Sequence, residues 1–333
     1  MNRKAVGILA LALLAAVVLV LPVGRFPVTV GDIAEALGAW LGGQELDARQ
    51  KQVLFLFLEV RLPRILAAML VGASLSVSGA VYQNMFLNPL VSPGILGVLA
   101  GASCGAAMGI VLFSSWAVTQ GLAFLGGLMG VGLSLFFSSL YPKARILALL
   151  VGGLVSGSFF TAITSLFKYV ADPTRQLPEL VYWLMGTLSR SDAGQLIWIS
   201  PLMLLGLIYL VLSGKTLNAL SQGDDEARAL GIESGRVRLQ FIGTATLICS
   251  LAVILSGIIN WVGLVIPHVL RLMVGPDNRT LLPATALGGA LFVLLTDTLV
   301  RSVWTVEFPL GIFTSLICMP LFAYSLWHDW RRP

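Results

Sequence analysis

Apolar positions along the chain fall in long, nearly unbroken runs separated by short polar punctuation. The runs cover about 5–23, 65–84, 94–113, 117–140, 145–168, 194–213, 239–258, 261–275, 281–300 and 309–327. Most approach the ~20 residues that an α-helix needs to cross a hydrocarbon core. The pattern predicts an all-α, polytopic integral membrane protein of about ten transmembrane helices. The 261–275 run is the weakest span of the set, being short and carrying Pro267, His268 and Arg271. Arg3-Lys4 ahead of the first run resembles the basic start of a signal peptide. Ala5 to Val23 is nevertheless long enough to span, and no small-residue cleavage site follows, so it reads as the first membrane helix. An even count then puts both termini on one side.

Three segments lie between the spans. Residues 28–42 (VTVGDIAEALGAWLG) have the pattern of an amphipathic helix lying in the outer interface. Residues 169–193 form an outer loop in which Tyr182 and Trp183 suit the headgroup region. Residues 214–238 form the longest inner loop. Within it Glu226, Ala227, Arg228, Ala229, Leu230 and Gly231, preceded by Asp224-Asp225, follow the acid-first, base-later, glycine-last order of a short helix. Leu217, Leu220, Ala227 and Leu230 supply an apolar face with nothing in the chain to cover it. Taken alone, this element is either a docking site for a soluble partner or a solvated connector.

Composition narrows the class. Of 333 residues, 57% are hydrophobic and 11% charged, with a mean hydropathy of +0.91. Soluble domains carry about 25% charged residues, so a water-facing globule is excluded, and nothing points to nucleic acid. The 35 glycines suit close helix approach in a membrane. Cys104, Cys249 and Cys318 lie far apart in apolar runs, show no metal-ligand spacing and read as buried structural thiols. With the N-terminus cytoplasmic, 12 of the 21 Lys and Arg fall inside and the other nine outside. That bias is mild, which marks some outer arginines as retained for another task.

Arg61 and Arg64 flank Pro63 at the apparent start of the second span, and Arg301 ends the ninth on the same side. Such outward cations meet either an acidic partner or the lipid interface by snorkelling. Asn88-Pro89-Leu90, with Pro93 beyond, breaks a helix near the inner face. Gly263 to Pro267-His268 (GLVIPH) reads as a second break. Unwound backbone at membrane depth lines a pathway or packs against protein. Asp297 is the one carboxylate deep in an apolar run: either an ion or proton site, or the partner of Arg301 four residues on. Ser213-Gly214-Lys215-Thr216 mimics the end of a P-loop, but Tyr209 stands where its first glycine belongs. No catalytic set is present.

Taken together, the motifs resemble the FecCD-type permeases of ABC importers for iron siderophores, haem and vitamin B12. Those residues are Arg61-Leu-Pro-Arg64, Gly72-Ala73-Ser74-Leu75, Ser78-Gly79, Gln83, Asn88-Pro89-Leu90, Pro93-Gly94 and Leu96-Gly97. They continue through Ala229-Leu230-Gly231, Gly263 to His268 with Arg271, Leu282-Pro283, Asp297 with Arg301, and Glu307 with Pro309-Leu310-Gly311. The likeness runs from about residue 54 to the C-terminus.

The resemblance implies one transmembrane permease domain over 1–333, with a type II ABC importer permease fold, in the bacterial inner membrane with both termini cytoplasmic. It implies that Arg61, Arg64 and Arg301 dock a periplasmic substrate-binding protein. Glu226 to Gly231 would form the coupling helix for an ATPase, and Asn88, Pro89 and Leu90 the cytoplasmic gate. The working complex would hold a second permease, as a homodimer, and two ATP-binding-cassette ATPases carrying the ATP and Mg, this chain binding no cofactor. Its cargo would be a metal chelate: a ferric siderophore first, with haem, cobalamin or molybdate behind. Lys143-Ala144 stand where vitamin B12 permeases carry small hydroxyl residues beside the gate, which argues against cobalamin. The competing class is a proton- or sodium-coupled secondary transporter built on Asp297.

Overall fold

The computed structural model describes residues 3–24, 26–141, 145–303 and 307–330. Arg25, Lys143, Ala144, Arg331 and Arg332, used above in the charge count and the gate comparison, lie outside the described residues. Every regular element among the described residues is helical. In chain order these are α1 (Arg3–Val20), α2 (Val30–Leu41), α3 (Ala48–Phe55), α4 (Leu62–Met85), α5 (Val98–Met108), α6 (Trp116–Ser139), α7 (Arg145–Val170) and α8 (Gln176–Leu184). There follow α9 (Ala193–Leu212), α10 (Gly214–Leu220), α11 (Asp224–Ala229), α12 (Ser234–Ser256), α13 (Val262–Val274), α14 (Asn278–Val303) and α15 (Leu310–Trp330). Among the described residues seven helices are long and apolar enough to cross a membrane, the continuous run Ala48–Met85 counted as one. Lys4–Val20, Val98–Phe113 and Val262–Val274 are shorter apolar helices, and the ten together match the ten runs.

Local chemistry fixes α2 and α3. The Thr29 hydroxyl accepts from the Asp32 amide while the Asp32 carboxylate accepts from the Thr29 amide, a reciprocal cap. Asp47 and Gln50 repeat it at the head of α3. The two helices fold back on each other, burying Ile33, Ala36 and Val53 with Val28. The amphipathic helix expected at 28–42 is α2.

The second span does not start at Arg61. α3 continues through a π-helical turn, Leu56–Arg61, straight into α4, giving 38 unbroken helical residues. Pro63 explains the turn. A proline ring clashes with the carbonyl four residues back and lacks an N–H. The wider π-turn accommodates this, the Leu62 amide reaching back to Phe57.

α4 is the buried axis, packed by α9, α12, α13 and α14. Small residues allow this. A methyl on Gly72 would run into the Gly289 carbonyl of α14, and one on Gly79 into the Gly263 carbonyl of α13.

The second expected break is displaced. Gly263 to His268 is regular helix, with Pro267 inside α13. The chain unwinds just before it, at 257–261, where Gly257 (φ 63°) and Trp261 (φ 71°) are left-handed. Beside it three chain segments are tied together by backbone: the Thr187 amide donates to the Ser256 carbonyl at the end of α12 at 2.7 Å, and the amides of Leu310 and Gly311 donate to Gly186 and Met185 at 2.8 and 3.0 Å. Trp183, expected among headgroups, instead packs inward with Leu180, Ala106 and Ile110. Beside it the Arg190 guanidinium lies 4.5 Å over Trp116 and 3.3 Å from Glu179.

Candidate functional site

The chemistry gathers at the two ends of the bundle. At the first, three arginines converge, though none stands free. Arg61 is 5% exposed and turned inward, donating to the carbonyls of Leu21 and Phe26, both at 2.7 Å. Those carbonyls close the end of α1 and the loop beyond it, where no helical amide follows. The expected outward cation is therefore a strut holding that loop to the Ala48–Met85 helix. Arg61→Leu strips both acceptors of their donor, an expected loss of about 1–3 kcal/mol. A thermal midpoint in detergent equal to wild type would refute the strut.

Arg64 holds Asp297 in a fork, Nε and Nη2 lying 2.9–3.1 Å from its oxygens, and reaches Glu307 with Nη1 at 3.0 Å. The Arg64 and Asp297 side chains are only 14% and 4% exposed. Arg301, expected to pair with Asp297 four residues away, stands 3.9 Å off, in the second place. The two fork members are 233 residues apart in sequence, which is why the local i, i+4 pair stood in for the real one. The cluster holds three guanidiniums and two carboxylates, leaving one positive charge over. Arg61, Arg64, Arg301 and Glu307 line a recess partly open to solvent, whose wall also includes Gly24 and Phe26.

At the opposite end α4 stops at Met85 and the chain turns through Leu87 (φ 49°). Asn88 stabilises that turn, its Oδ1 accepting from the Leu90 amide at 2.9 Å. Leu87, Asn88, Pro89 and Leu90 are all exposed, so the expected break is present and open. Pro93 then starts a short 3₁₀ turn.

The loop 214–238 holds two helices where one was expected. Leu217, Leu220 and Ala227 are buried in the main core, so this element does have its own chain to pack against. Leu230 alone of the expected apolar face is left out, 69% exposed at the end of α11, with Glu226, Arg228 and Ala229 exposed beside it and Gly231 (φ 78°) ending the turn. Arg238 of α12 ties α11 back through Asp224 at 2.9 Å. His268 is buried and meets the Phe322 ring edge-on.

The sequence reading missed a polar cluster here. Asn84, Asn218, Asp277, Asn278 and Arg279 meet at the junction of α4, α10 and α14. Hydrogen bonding from Arg279 and then Asn218 holds the Asp277 carboxyl well below the usual carboxylate range. The visible signal was an asparagine at the end of an apolar helix and an Asp-Asn-Arg turn after Gly275-Pro276.

Comparison with known proteins bears on both ends at once. The molybdate import system permease MolB of Haemophilus influenzae is 39% identical over 319 residues, 95% of this chain and 93% of that one. The hemin transport system permease HmuU of Yersinia pestis is 34% identical, over 81% of this chain and 83% of its own. A solved structure described as an inward-facing conformation of a metal-chelate type ABC transporter superposes with a TM-score of 0.86 at 35% identity, over 98% of this chain and all of that one. The chain thus shares the architecture of type II importer permeases as a multi-pass membrane protein. The family model described as the FecCD transport family matches residues 11–328, nearly the whole helical bundle, and the chain belongs to that family.

Proposed function

We propose that this chain is the permease subunit of an ATP-driven importer that carries a metal chelate or metal oxyanion inward. The observation that carries the reading is the full-length likeness, at a TM-score of 0.86, to a metal-chelate type ABC transporter. In this reading the arginine end faces the periplasm and receives the loaded binding protein, while both termini and α10–α11 lie in the cytoplasm. Leu230 and the exposed side of α11 seat in an ATPase subunit. Two such ATPases supply Mg-ATP chemistry, and a second copy of the permease completes the pathway across the bilayer. Asn88, Pro89 and Leu90 stand at its inner mouth. Ferric siderophore, haem, cobalamin and molybdate are the candidate cargoes. Molybdate stands level with siderophore because the permease 39% identical to this chain bears its name.

The ion-coupled alternative loses its main support. Both Asp297 oxygens are already taken by Arg64 donors, whereas a relay carboxylate must release and rebind its cation. The buried network also changes how docking is tested. Reversing Arg64 to Glu would set acid against acid, and reversing Arg61 would set a carboxylate against the Leu21 and Phe26 carbonyls, so loss of function at either would report folding.

The direct test is uptake into proteoliposomes holding the permease and its ATPase, with binding protein outside. Uptake of one of the four cargoes is expected only with internal ATP. Uptake by the permease alone, driven by a proton or sodium gradient, would overturn the proposal.

A further inference from the structure

Three asparagines from three separate elements meet at one buried point beneath the loop helices. Asn278, the first residue of α14, is fully buried. Its Nδ2 donates to Asn84 Oδ1 on α4 at 3.0 Å and to Asn218 Oδ1 on α10 at 2.8 Å. Its backbone amide donates to the same Asn218 oxygen at 2.9 Å. Packing reinforces the bonds. A methyl on Gly214, at the head of α10, would lie only 2.8 Å from the Asn278 carbonyl oxygen.

The direction of these bonds is fixed from both outer ends. Asn84 Nδ2 donates to the Ala80 carbonyl at 2.7 Å, and Asn218 Nδ2 donates to Asp277 Oδ1 at 2.7 Å. A carbonyl and a carboxylate held by Arg279 can only accept. Each outer amide must therefore turn its oxygen toward Asn278, and the Asn278 amide nitrogen serves both. Aspartate at this position has the same shape but would present oxygen to oxygen. Among the described residues Asn278 Oδ1 has no partner, so the present bonds are not the fullest set these amides can form.

The placement gives the cluster a task. Asn84 lies one residue before the end of α4 and four before Asn88. Asn218 lies in α10, which packs against α11. We propose that Asn218, Asn278 and Asn84 form the link through which displacement of the loop helices by an ATPase reaches the Asn88–Leu90 end of α4. The link rests on the importer reading given above. These are positioning residues, and they touch neither nucleotide nor cargo.

The test uses the assembled permease–ATPase complex in proteoliposomes with binding protein, measuring ATP hydrolysis and cargo uptake on the same vesicles. Asn84→Ala removes one arm at a partly exposed site and leaves the Asn218–Asn278 bonds in place. Hydrolysis should stay within about two-fold of wild type while cargo moved per ATP falls about ten-fold, the size of typical coupling between sites. Asn278→Asp should show the same uncoupling. Asn84→Gln keeps an amide, with an oxygen to accept from Asn278 and a nitrogen to donate, and should recover most of the transport per ATP. Unchanged transport per ATP in Asn84→Ala overturns the link. So does a proportional fall of hydrolysis and uptake, which marks a purely structural cluster. A wild-type complex with no ATP-dependent uptake fails the importer reading itself, and the link falls with it.

Discussion

Asp297→Asn should leave little folded permease to purify. The substitution removes the negative charge that Arg64 holds at 2.9–3.1 Å, leaving that guanidinium one carboxylate, Glu307, and depriving Arg301 of its nearest acid. Removing one partner of a buried pair costs about 3–5 kcal/mol, because the remaining charge is stranded. Total stabilities run to about 5–15 kcal/mol, so the loss is a large share of the whole. Yield after detergent extraction and the midpoint of thermal unfolding both read it. Replacing both members, Arg64→Leu with Asp297→Leu, should recover part of the loss, since it removes one charge of each sign and leaves Arg301 and Glu307 on the same recess to balance each other. Normal yield and midpoint for Asp297→Asn, with transport newly insensitive to a proton gradient, would refute the structural assignment and restore the ion-coupled carrier.

Gly79→Ala should be the most damaging single-methyl change in the core. The added carbon would land on the Gly263 carbonyl, a backbone group that no rotamer change can move aside. α4 and α13 must then separate along a seam that also holds the Gln83–Leu264 hydrogen bond at 3.0 Å. Overpacking of this kind costs about 1–3 kcal/mol, and Gly79→Leu should abolish assembly. Pro267 is why the helices come so close. It has no N–H to give the Gly263 carbonyl four residues back, and the Gly79 Cα–H points at that oxygen, a weak bond of about 0.5–1 kcal/mol. Gly121→Ala is the matched control, for nothing lies within 4 Å of its added carbon. Equal thermal midpoints for the two alanine variants would show that the seam yields freely.

Legibility in the sequence followed the range of the interactions. The ten apolar runs, the amphipathic helix at 28–42, and the break at Asn88-Pro89-Leu90 depend on residues within a few positions of each other, and all were read. The arginine network could not. Its decisive pair is 233 residues apart, and nothing local tells Arg61, which holds carbonyls, from Arg64, which holds acids. Pro267 misled for a related reason. A proline in an apolar run marks an unwound segment, but here neighbouring backbone absorbs the lost bond and the helix continues. The asparagine cluster went unread although each member stood in view, because Asn84, Asn218 and Asn278 are far apart in sequence and only the fold buries them against one another.

The unbroken helix from Ala48 to Met85 has a mechanical consequence. At about 1.5 Å per residue its 38 residues reach about 57 Å, well beyond a hydrocarbon core of about 30 Å. One end is the α2–α3 hairpin and the other is Asn84, with continuous backbone hydrogen bonding and no slack loop between. The only compliant stretch is the π-turn at Leu56–Arg61, and the Arg61 and Arg64 contacts clamp it on the spot. A helix of this length without a flexible break is shaped as a push-rod: an axial displacement imposed on the hairpin is expected to reach Asn84, and one imposed on Asn84 to reach the hairpin, through one piece of backbone.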